Sequence, residues 1–145
     1  MVKLFKKILV KDVMVKQPFT IGLDEPFSRV WDIFKLHKIR HLPVLDNNRI
    51  LKGLITQRDL YRIISPRKTL EGNLIYDKSE LDNYILEYVM TKKVVTLSPQ
   101  DVLGKAIDIM VNSKYGCLPI INTASFLEGI VTKIDVLKAV GKFVI

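Results

Sequence analysis

The sequence predicts an α/β (α+β) fold made of two copies of one β-α-β-β-α unit, packed through their sheets with pseudo-twofold symmetry. The stretch GLITQRD at 53–59 returns as GIVTKID at 129–135, and the same offset of 76 residues aligns 13–59 with 89–135 without a gap. Within each copy, short apolar runs alternate with a segment whose apolar residues recur at helical spacing. Neither copy is large enough to bury a sizeable core alone, so we expect the two copies to bury each other's apolar faces.

Each predicted element has its own sequence signal. The helices carry apolar residues at i, i+3, i+4 and i+7, which places these residues on one face. The turns contain Asp and Asn, which suit positions with positive φ. In order, each copy contains a short extended piece (19–21 or 95–97), a helix (Phe27, Val30, Trp31 and Phe34, or Leu103, Ala106, Ile107 and Met110), a strand (41–45 or 117–121), a turn (46–48 or 122–125), a second strand (50–55 or 126–131) and a helix that opens at Thr56 or Thr132.

The stretch between the copies reads as a connector because it is polar and contains Pro66 and Gly72. The predicted division of the chain is a first repeat with its N-terminal helix over 1–65, a linker over 66–80 and a second repeat over 81–145.

Two flanking helices are expected to match each other. The first is predicted over 5–14. The second should be capped by SELD at 79–82 and carry Tyr84, Ile85 and Tyr88 towards the second copy.

Composition indicates a globular protein of reducing surroundings. Hydrophobic residues make up 48% and charged residues 26% of the 145 residues, and no apolar run approaches the ~20 residues that span a bilayer. The single cysteine, Cys117, excludes an internal disulfide. We therefore expect a cytoplasmic protein without a membrane span. The net charge of +8 attracts anions, of which phosphorylated metabolites and nucleic acid are two classes.

The order of short motifs resembles a known family. In both copies V-M precedes T-(I/L), the amphipathic helix, L-P-(V/I) and finally G-(L/I)-(I/V)-T-x-x-D. This order resembles the tandem cystathionine-β-synthase-type (CBS) domain pair, or Bateman module, over residues 8–141. The resemblance implies a regulatory protein, not an enzyme, that binds AMP, ADP, ATP or S-adenosylmethionine in the clefts between its halves and requires no other cofactor. It also implies a homodimer that signals to a separate regulated protein.

The T-x-x-D stretches are the strongest candidates for ligand contacts. Thr56 and Thr132 are predicted N-caps, and a strand-to-helix junction exposes backbone N–H groups that suit phosphate. A carboxylate one turn into the helix can accept both hydroxyls of a ribose. The resemblance implies that Asp59 and Asp135 contact ribose and that the threonines lie near ribose or phosphate.

Further binding residues are implied by the same resemblance. A short edge segment of each copy is expected to meet adenine, mostly through its backbone, and the residues up to the strand proline often face a phosphate or the adenine ring. A cationic Arg40–His41 pair is expected to favour a phosphorylated ligand, whereas the neutral Gly116–Cys117 pair favours a less charged ligand or none. Lys133, or Arg58 and Gln57, could compensate for this difference. The residues of these two groups are Thr20, Ile21, Arg40, His41 and Pro43 in the first copy, and Thr96, Leu97, Gly116, Cys117 and Pro119 in the second.

Other functions find less support. His37 and His41 have a spacing that suits a metal only on one helix, whereas His41 is predicted to begin a strand. No arrangement typical of nucleophilic or acid–base catalysis occurs, and no phosphate loop of the G-x-x-x-x-G-K type. Nucleic-acid binding through the +8 charge, and a structural dimerisation module with degenerate pockets, are the alternatives. The identity of the ligand, the number of occupied pockets, the partner and the parallel or antiparallel form of the dimer stay open.

Overall fold

Short strands and helices alternate along the chain in the order that the repeat predicts. The computed structural model describes residues 8–144, apart from the side chain of residue 143. Two 3₁₀ helices, Val10–Asp12 and Lys78–Asn83, accompany the regular elements. The regular elements are β1 (Val15–Lys16), β2 (Ile21–Gly22), α1 (Phe27–His37), β3 (His41–Leu45), β4 (Leu51–Thr56), α2 (Gln57–Ile63), β5 (Arg67–Lys68), β6 (Leu74–Ile75), α3 (Leu86–Val89), α4 (Leu103–Asn112), β7 (Cys117–Ile121), β8 (Leu127–Thr132) and α5 (Lys133–Val144).

The chain forms two compact units, and each unit combines one repeat with the segment that precedes the other. One unit holds 19–48 and 52–93, and the other holds the remaining described residues. The first repeat is therefore grouped with the segment that leads into the second repeat. The second repeat is grouped with the start of the described chain.

The unit of the second repeat is built on a three-stranded sheet in the order β1-β8-β7. All pairs are antiparallel, with Val15 opposite Ile130 and Cys117 opposite Thr132. Leu97 adds an isolated parallel bridge to Ile120, so the extended piece predicted over 95–97 is reduced to this contact. The apolar core of this unit contains Val10, Leu97, Leu103, Ala106, Met110, Leu118, Ile120 and Val131.

The unit of the first repeat has a three-stranded sheet in the order β2-β3-β4. β2 runs parallel to β3, with Ile21 opposite Val44. Thr91 forms an antiparallel bridge with Leu54 of β4, at the position where β1 pairs with β8 in the other unit. The apolar core contains Ile21, Phe27, Val30, Phe34, Leu42, Val44, Ile55, Leu60, Ile64, Leu81, Leu86 and Met90. The predicted α+β fold of two repeats is confirmed.

The glycine that opens each repeated stretch lies where another part of the backbone comes very close. A Cβ atom at Gly129 would lie 2.7 Å from the carbonyl oxygen of Val15 and 2.8 Å from Sδ of Met14. A Cβ atom at Gly53 would lie 2.5 Å from Sδ of Met90. Only glycine lets the V-M segment and its following strand approach so closely. This contact explains why V-M and the motif glycine recur together.

The turns between the paired strands differ from the prediction. The positive-φ residues are Arg49 (φ 65°) and Ser125 (φ 66°), not the Asp and Asn residues. Asp46 instead uses its side chain, which accepts the N–H of Asn48 at 2.8 Å. Asn122 does the same in the second copy with two backbone N–H groups. An Asx side chain that closes the start of a turn leaves the left-handed position to the residue at its end.

The flanking helices are shorter than predicted. Of the helix expected over 5–14, residues 5–7 lie outside the described residues, and the remainder forms only the 3₁₀ turn Val10–Asp12. The helix expected from 79 onward is two pieces, the 3₁₀ helix and α3, separated by extended Tyr84. Leu81 and Leu86 are both buried, and five residues apart on one α-helix they would face different sides. The break allows both side chains to enter one core.

The connector contains more structure than its composition predicts. β5 and β6 pair as an antiparallel hairpin, with Arg67 opposite Ile75. Gly72 has a φ of 86°, which a glycine adopts readily.

Candidate functional site

Helix α2 begins at a closed capping box formed by Thr56 and Asp59. The Thr56 hydroxyl accepts the N–H of Asp59 at 3.3 Å. Oδ2 of Asp59 accepts the backbone N–H of Thr56 at 2.8 Å and its hydroxyl proton at 3.1 Å. Local sequence dictates this arrangement, since the T-x-x-D spacing brings both side chains back onto each other's backbone.

The second repeat reproduces the box at the start of α5. The Thr132 hydroxyl accepts the N–H of Asp135 at 3.3 Å. Oδ2 of Asp135 accepts the N–H and the hydroxyl proton of Thr132, both at 2.8 Å. The prediction that both threonines are N-caps is thus confirmed.

The boxes determine which atoms can still bind a ligand. In each box one carboxylate oxygen, Oδ2, already accepts two hydrogen bonds, so a further donor has to approach Oδ1. Each threonine hydroxyl uses its only proton in a hydrogen bond to the carboxylate, so it cannot donate to a phosphate while the box is closed.

Fewer backbone N–H groups are free at the helix starts than the sequence predicts. Gln57 donates its N–H to the carbonyl of Arg40 at 2.9 Å, and Lys133 donates to the carbonyl of Gly116 at 3.2 Å. The third N–H of each helix is taken by the threonine hydroxyl. Within the described residues, the N–H groups of Arg58 and Ile134 have no such partner in the first turn. One donor per junction remains where several were predicted, because the preceding loop caps the helix.

The residues just before each strand proline lie beside the junctions. The hydrogen bond from Gln57 to the Arg40 carbonyl holds the backbone of Arg40 next to the start of α2. The Arg40 side chain is exposed. His41 is the first residue of β3 and is half-buried. His37 ends α1, on the other side of the left-handed Lys38, and stacks on Phe19 with ring centroids 3.7 Å apart. As expected, the two histidines do not share a helix.

Cys117 occupies the matching position in the second copy and is only 2% exposed. Burial raises the pKa of its thiol to about 12, and the negative charge of Asp135 adds to the rise. A thiol with such a pKa is protonated at neutral pH and is a poor nucleophile. Cys117, which lies opposite Thr132 in the sheet, is therefore a buried neutral group beside the second junction.

The other predicted residues lie one strand further away. In the first repeat β3 separates β2, with Ile21, from β4, which ends at Thr56. In the second repeat Leu97 donates its N–H to Pro119 and accepts from Ile121, on the strand β7 that pairs with β8. Two strand spacings, about 10 Å, thus separate the edge segment from the junction. Thr20 and Thr96 are half-buried, whereas Ile21, Leu97, Pro43 and Pro119 are buried.

The junctions bring together part of the predicted set of binding residues. Arg40, His41, Thr56 and Asp59 adjoin one another at the start of α2, and Gly116, Cys117, Thr132, Lys133 and Asp135 do so at the start of α5. The edge residues Thr20, Ile21, Thr96 and Leu97 do not join them.

One contact at the first junction was not predicted from the sequence. The guanidinium of Arg62 binds Oδ1 of Asp59, the oxygen that the capping box leaves open. The i, i+3 spacing of an acidic and a basic residue on α2 was the available signal. Asp59 is 3% exposed, the one buried charged residue in the described part of the chain.

A groove of about 310 Å³ lies outside the predicted site residues, between the start of α1 and the segment from Asp82 to Leu86. Within 8–144 no cluster of three or more His, Cys, Asp or Glu side chains suits a metal ion. The helices of the same range are all too short or too polar to cross a membrane.

Comparison with known proteins places these features in a family. The family model of the CBS domain matches residues 10–66 and 86–142. A CBS domain-containing protein of Dictyostelium discoideum is 33% identical over 131 residues, which cover 90% of each chain. An inosine-5'-monophosphate dehydrogenase of Nitrosopumilus maritimus is 30% identical over 124 residues, but these amount to only 22% of that enzyme's length.

Solved structures with the same fold include two that contain adenosine compounds. The protein CBSX2, in complex with AMP, gives a TM-score of 0.77 at 20% identity, and the match covers 94% of this chain and 98% of that one. A CBS domain pair in complex with 5'-methylthioadenosine and S-adenosyl-L-methionine gives 0.76 at 24% identity, with 92% and 96% covered. With both repeats matched by the family model and a relative of similar length above 30% identity, the chain belongs to the CBS-domain family.

Proposed function

We propose that this protein is a regulatory module that binds an adenosine-containing ligand at its T-x-x-D junctions and signals occupancy to a separate protein. The observation that carries the proposal is the Asp135 carboxylate, whose Oδ2 is held by Thr132 while Oδ1 has no partner among the described residues. A carboxylate fixed in this way is pre-organised to accept hydroxyl protons.

The ribose of adenosine supplies a matching pair of donors. Oδ1 of a carboxylate has two acceptor positions, so it can accept a hydrogen bond from one or both hydroxyls of a ribose diol. Hydrogen bonds to a charged acceptor contribute ~1.5–3 kcal/mol each. AMP, 5'-methylthioadenosine and S-adenosylmethionine, which the two structural relatives contain, share this diol.

The rest of the ligand has candidate contacts on both sides of the ribose. The edge segments with Thr20 and Thr96 lie two strands from the junctions, about 10 Å, a distance that an adenosine can bridge. For a phosphate, the remaining donors are the exposed side chains of Arg40 and Lys133 and the one free N–H of each helix. Each junction is therefore proposed to offer a phosphate one cationic side chain, Arg40 in the first repeat and Lys133 in the second.

A binding role is proposed instead of a catalytic one. The chain spans about a fifth of the length of the dehydrogenase it resembles, so that enzyme's activity is not transferred to it. Homodimerisation and the existence of a separate regulated partner remain predictions of the family resemblance. No described contact favours the nucleic-acid alternative over nucleotide binding.

Isothermal titration calorimetry with AMP, ATP and S-adenosylmethionine tests the proposal. We expect micromolar to millimolar affinity, which corresponds to about −8 to −4 kcal/mol. The decisive comparison is AMP against 2',3'-dideoxy-AMP, which lacks the diol and should bind at least ~10-fold more weakly.

A double variant, Asp59→Asn with Asp135→Asn, should lose the preference for the diol, while Asp24→Asn is the matched control. Asp24 is exposed and lies outside both junctions. Equal binding of AMP and its dideoxy analogue by the wild type would refute the ribose assignment. Salt-sensitive binding of duplex DNA without any nucleotide binding would favour the nucleic-acid alternative.

A further inference from the structure

The two junctions share their capping boxes but differ one turn into the helix. In the first repeat Arg62 binds Oδ1 of Asp59, with 65% of the arginine side chain exposed and only 4% of the aspartate. The repeat offset places Lys138 at the matching position of α5. Lys138 is exposed and makes no ion pair with Asp135 in the described part of the chain.

Counting hydrogen-bond acceptors shows what this difference means for a ligand. The carboxylate of Asp59 receives two hydrogen bonds at Oδ2 and the guanidinium at Oδ1, which leaves one acceptor position. The carboxylate of Asp135 receives two at Oδ2 and none from described residues at Oδ1, which leaves two positions. A diol needs two positions, so only the second junction offers them without displacing a side chain.

The chemistry of the two cations explains why one pairs and the other does not. Arginine presents a planar fork of donors that matches a carboxylate, and three residues along a helix it lies next to it. Lysine carries a compact, strongly hydrated charge that gains less from leaving water. Asp59 is also more buried than Asp135, so its charge has a greater need of a partner.

We infer that Arg62 is a specificity-determining residue that competes with the ligand at Asp59, so that the adenosine diol binds preferentially at Asp135. This inference rests on the proposed function and assigns unequal roles to its two sites. Arg62 is largely exposed, and pairs of this kind are weak, so its competition should lower affinity at the first junction by about two- to fivefold. The first junction is then a weaker site that fills at higher ligand concentration.

Calorimetric titration with AMP separates the two junctions through single variants. Asp135→Asn should weaken the tighter binding event by ~10-fold or more, and Asp59→Asn should weaken it much less. Arg62→Gln should strengthen the weaker event by about two- to fivefold. Lys138→Gln removes the same charge from the matching position and should leave both events within about twofold.

The reverse exchange provides an independent check. Lys138→Arg places a guanidinium three residues after Asp135 and should weaken the tighter event by about two- to fivefold. The inference is overturned if Asp59→Asn costs more affinity than Asp135→Asn, or if Arg62→Gln weakens binding, since Arg62 would then contact the ligand. Absence of any binding of AMP, ATP or S-adenosylmethionine to the wild type would instead remove the proposed function and this inference with it.

Discussion

An alanine at position 53 would bring a methyl group into a space that the backbone already occupies. Its Cβ would lie 2.5 Å from Sδ of Met90 and 2.8 Å from the carbonyl oxygen of Thr91. The methionine side chain can rotate away, because its thioether is flexible. The carbonyl oxygen cannot, because the Thr91 carbonyl accepts the N–H of Leu54 at 3.0 Å and Thr91 donates back to Leu54 at 3.0 Å.

The cost follows from these contacts. Forcing a methyl group into a packed region costs ~1–3 kcal/mol. Weakening one of the two Leu54–Thr91 hydrogen bonds adds ~0.5–1.5 kcal/mol. The lower conformational freedom of alanine in the unfolded chain returns ~0.4–1 kcal/mol. We expect Gly53→Ala to lower the free energy of unfolding by ~2 kcal/mol, and Gly129→Ala by a similar amount, since its Cβ would lie 2.7 Å from the Val15 carbonyl oxygen.

Urea unfolding followed by circular dichroism measures the effect, and the chain offers matched controls. Gly104 and Gly141 lie in helices, and a Cβ at either position meets no atom within 4 Å. Alanine at these positions should raise the free energy of unfolding by ~0.4–1 kcal/mol, since alanine favours the helix. If Gly53→Ala were as stable as Gly104→Ala, the close approach of the V-M segment would not be the reason for the motif glycine.

Alkaline pH should lower the free energy of unfolding through Cys117. The thiol of the unfolded chain ionises near pH 9, whereas burial raises the pKa of the folded thiol to about 12. The folded state therefore loses stability relative to the unfolded state as the pH rises from about 9 towards about 12. Urea unfolding of the wild type and Cys117→Ala at pH 8 and at about pH 11 should show the wild type losing more stability. Thr132→Ala removes the hydroxyl that caps α5 and should cost ~1 kcal/mol in the same assay, with Thr132→Ser as the control that retains the cap. Asp82→Ala removes the acceptor for the Ser28 N–H at the start of α1 and should cost ~0.5–1 kcal/mol, whereas Asp82→Asn should cost much less; equal losses would mean that the hydrogen bond does not stabilise α1.

Sequence reasoning succeeded where the determining contacts are local. The capping boxes follow from a threonine and an aspartate three residues apart, and both form as predicted. The periodic apolar residues of α1 are also local signals, and Phe27, Val30 and Phe34 are buried. Trp31, on the same apolar face, is half-buried and packs against this core beside Tyr61 and Tyr76.

The features that escaped prediction depend on residues far apart in the sequence. No local pattern shows that β1 pairs with β8, or that Asp82 accepts a hydrogen bond from the first turn of α1 at a separation of 54 residues. The same holds for the loop carbonyls of Arg40 and Gly116, which accept hydrogen bonds from helix N–H groups that were predicted to be free. The motif glycines were visible from the start, but their reason lies in the backbone that approaches them.

Duplication explains why the two junctions are alike in some respects and different in others. The capping box stabilises the start of the helix in both copies, so folding by itself gives a reason for Thr and Asp to occur in both. The residue one turn later takes no part in the capping box, and the two copies differ there, with Arg62 in the first and Lys138 in the second. Under the proposed function, a change at a position that contacts the second carboxylate oxygen would alter ligand affinity while the capping box stays intact. Two copies of one site would thereby become two sites of unequal strength, which respond to different ranges of ligand concentration.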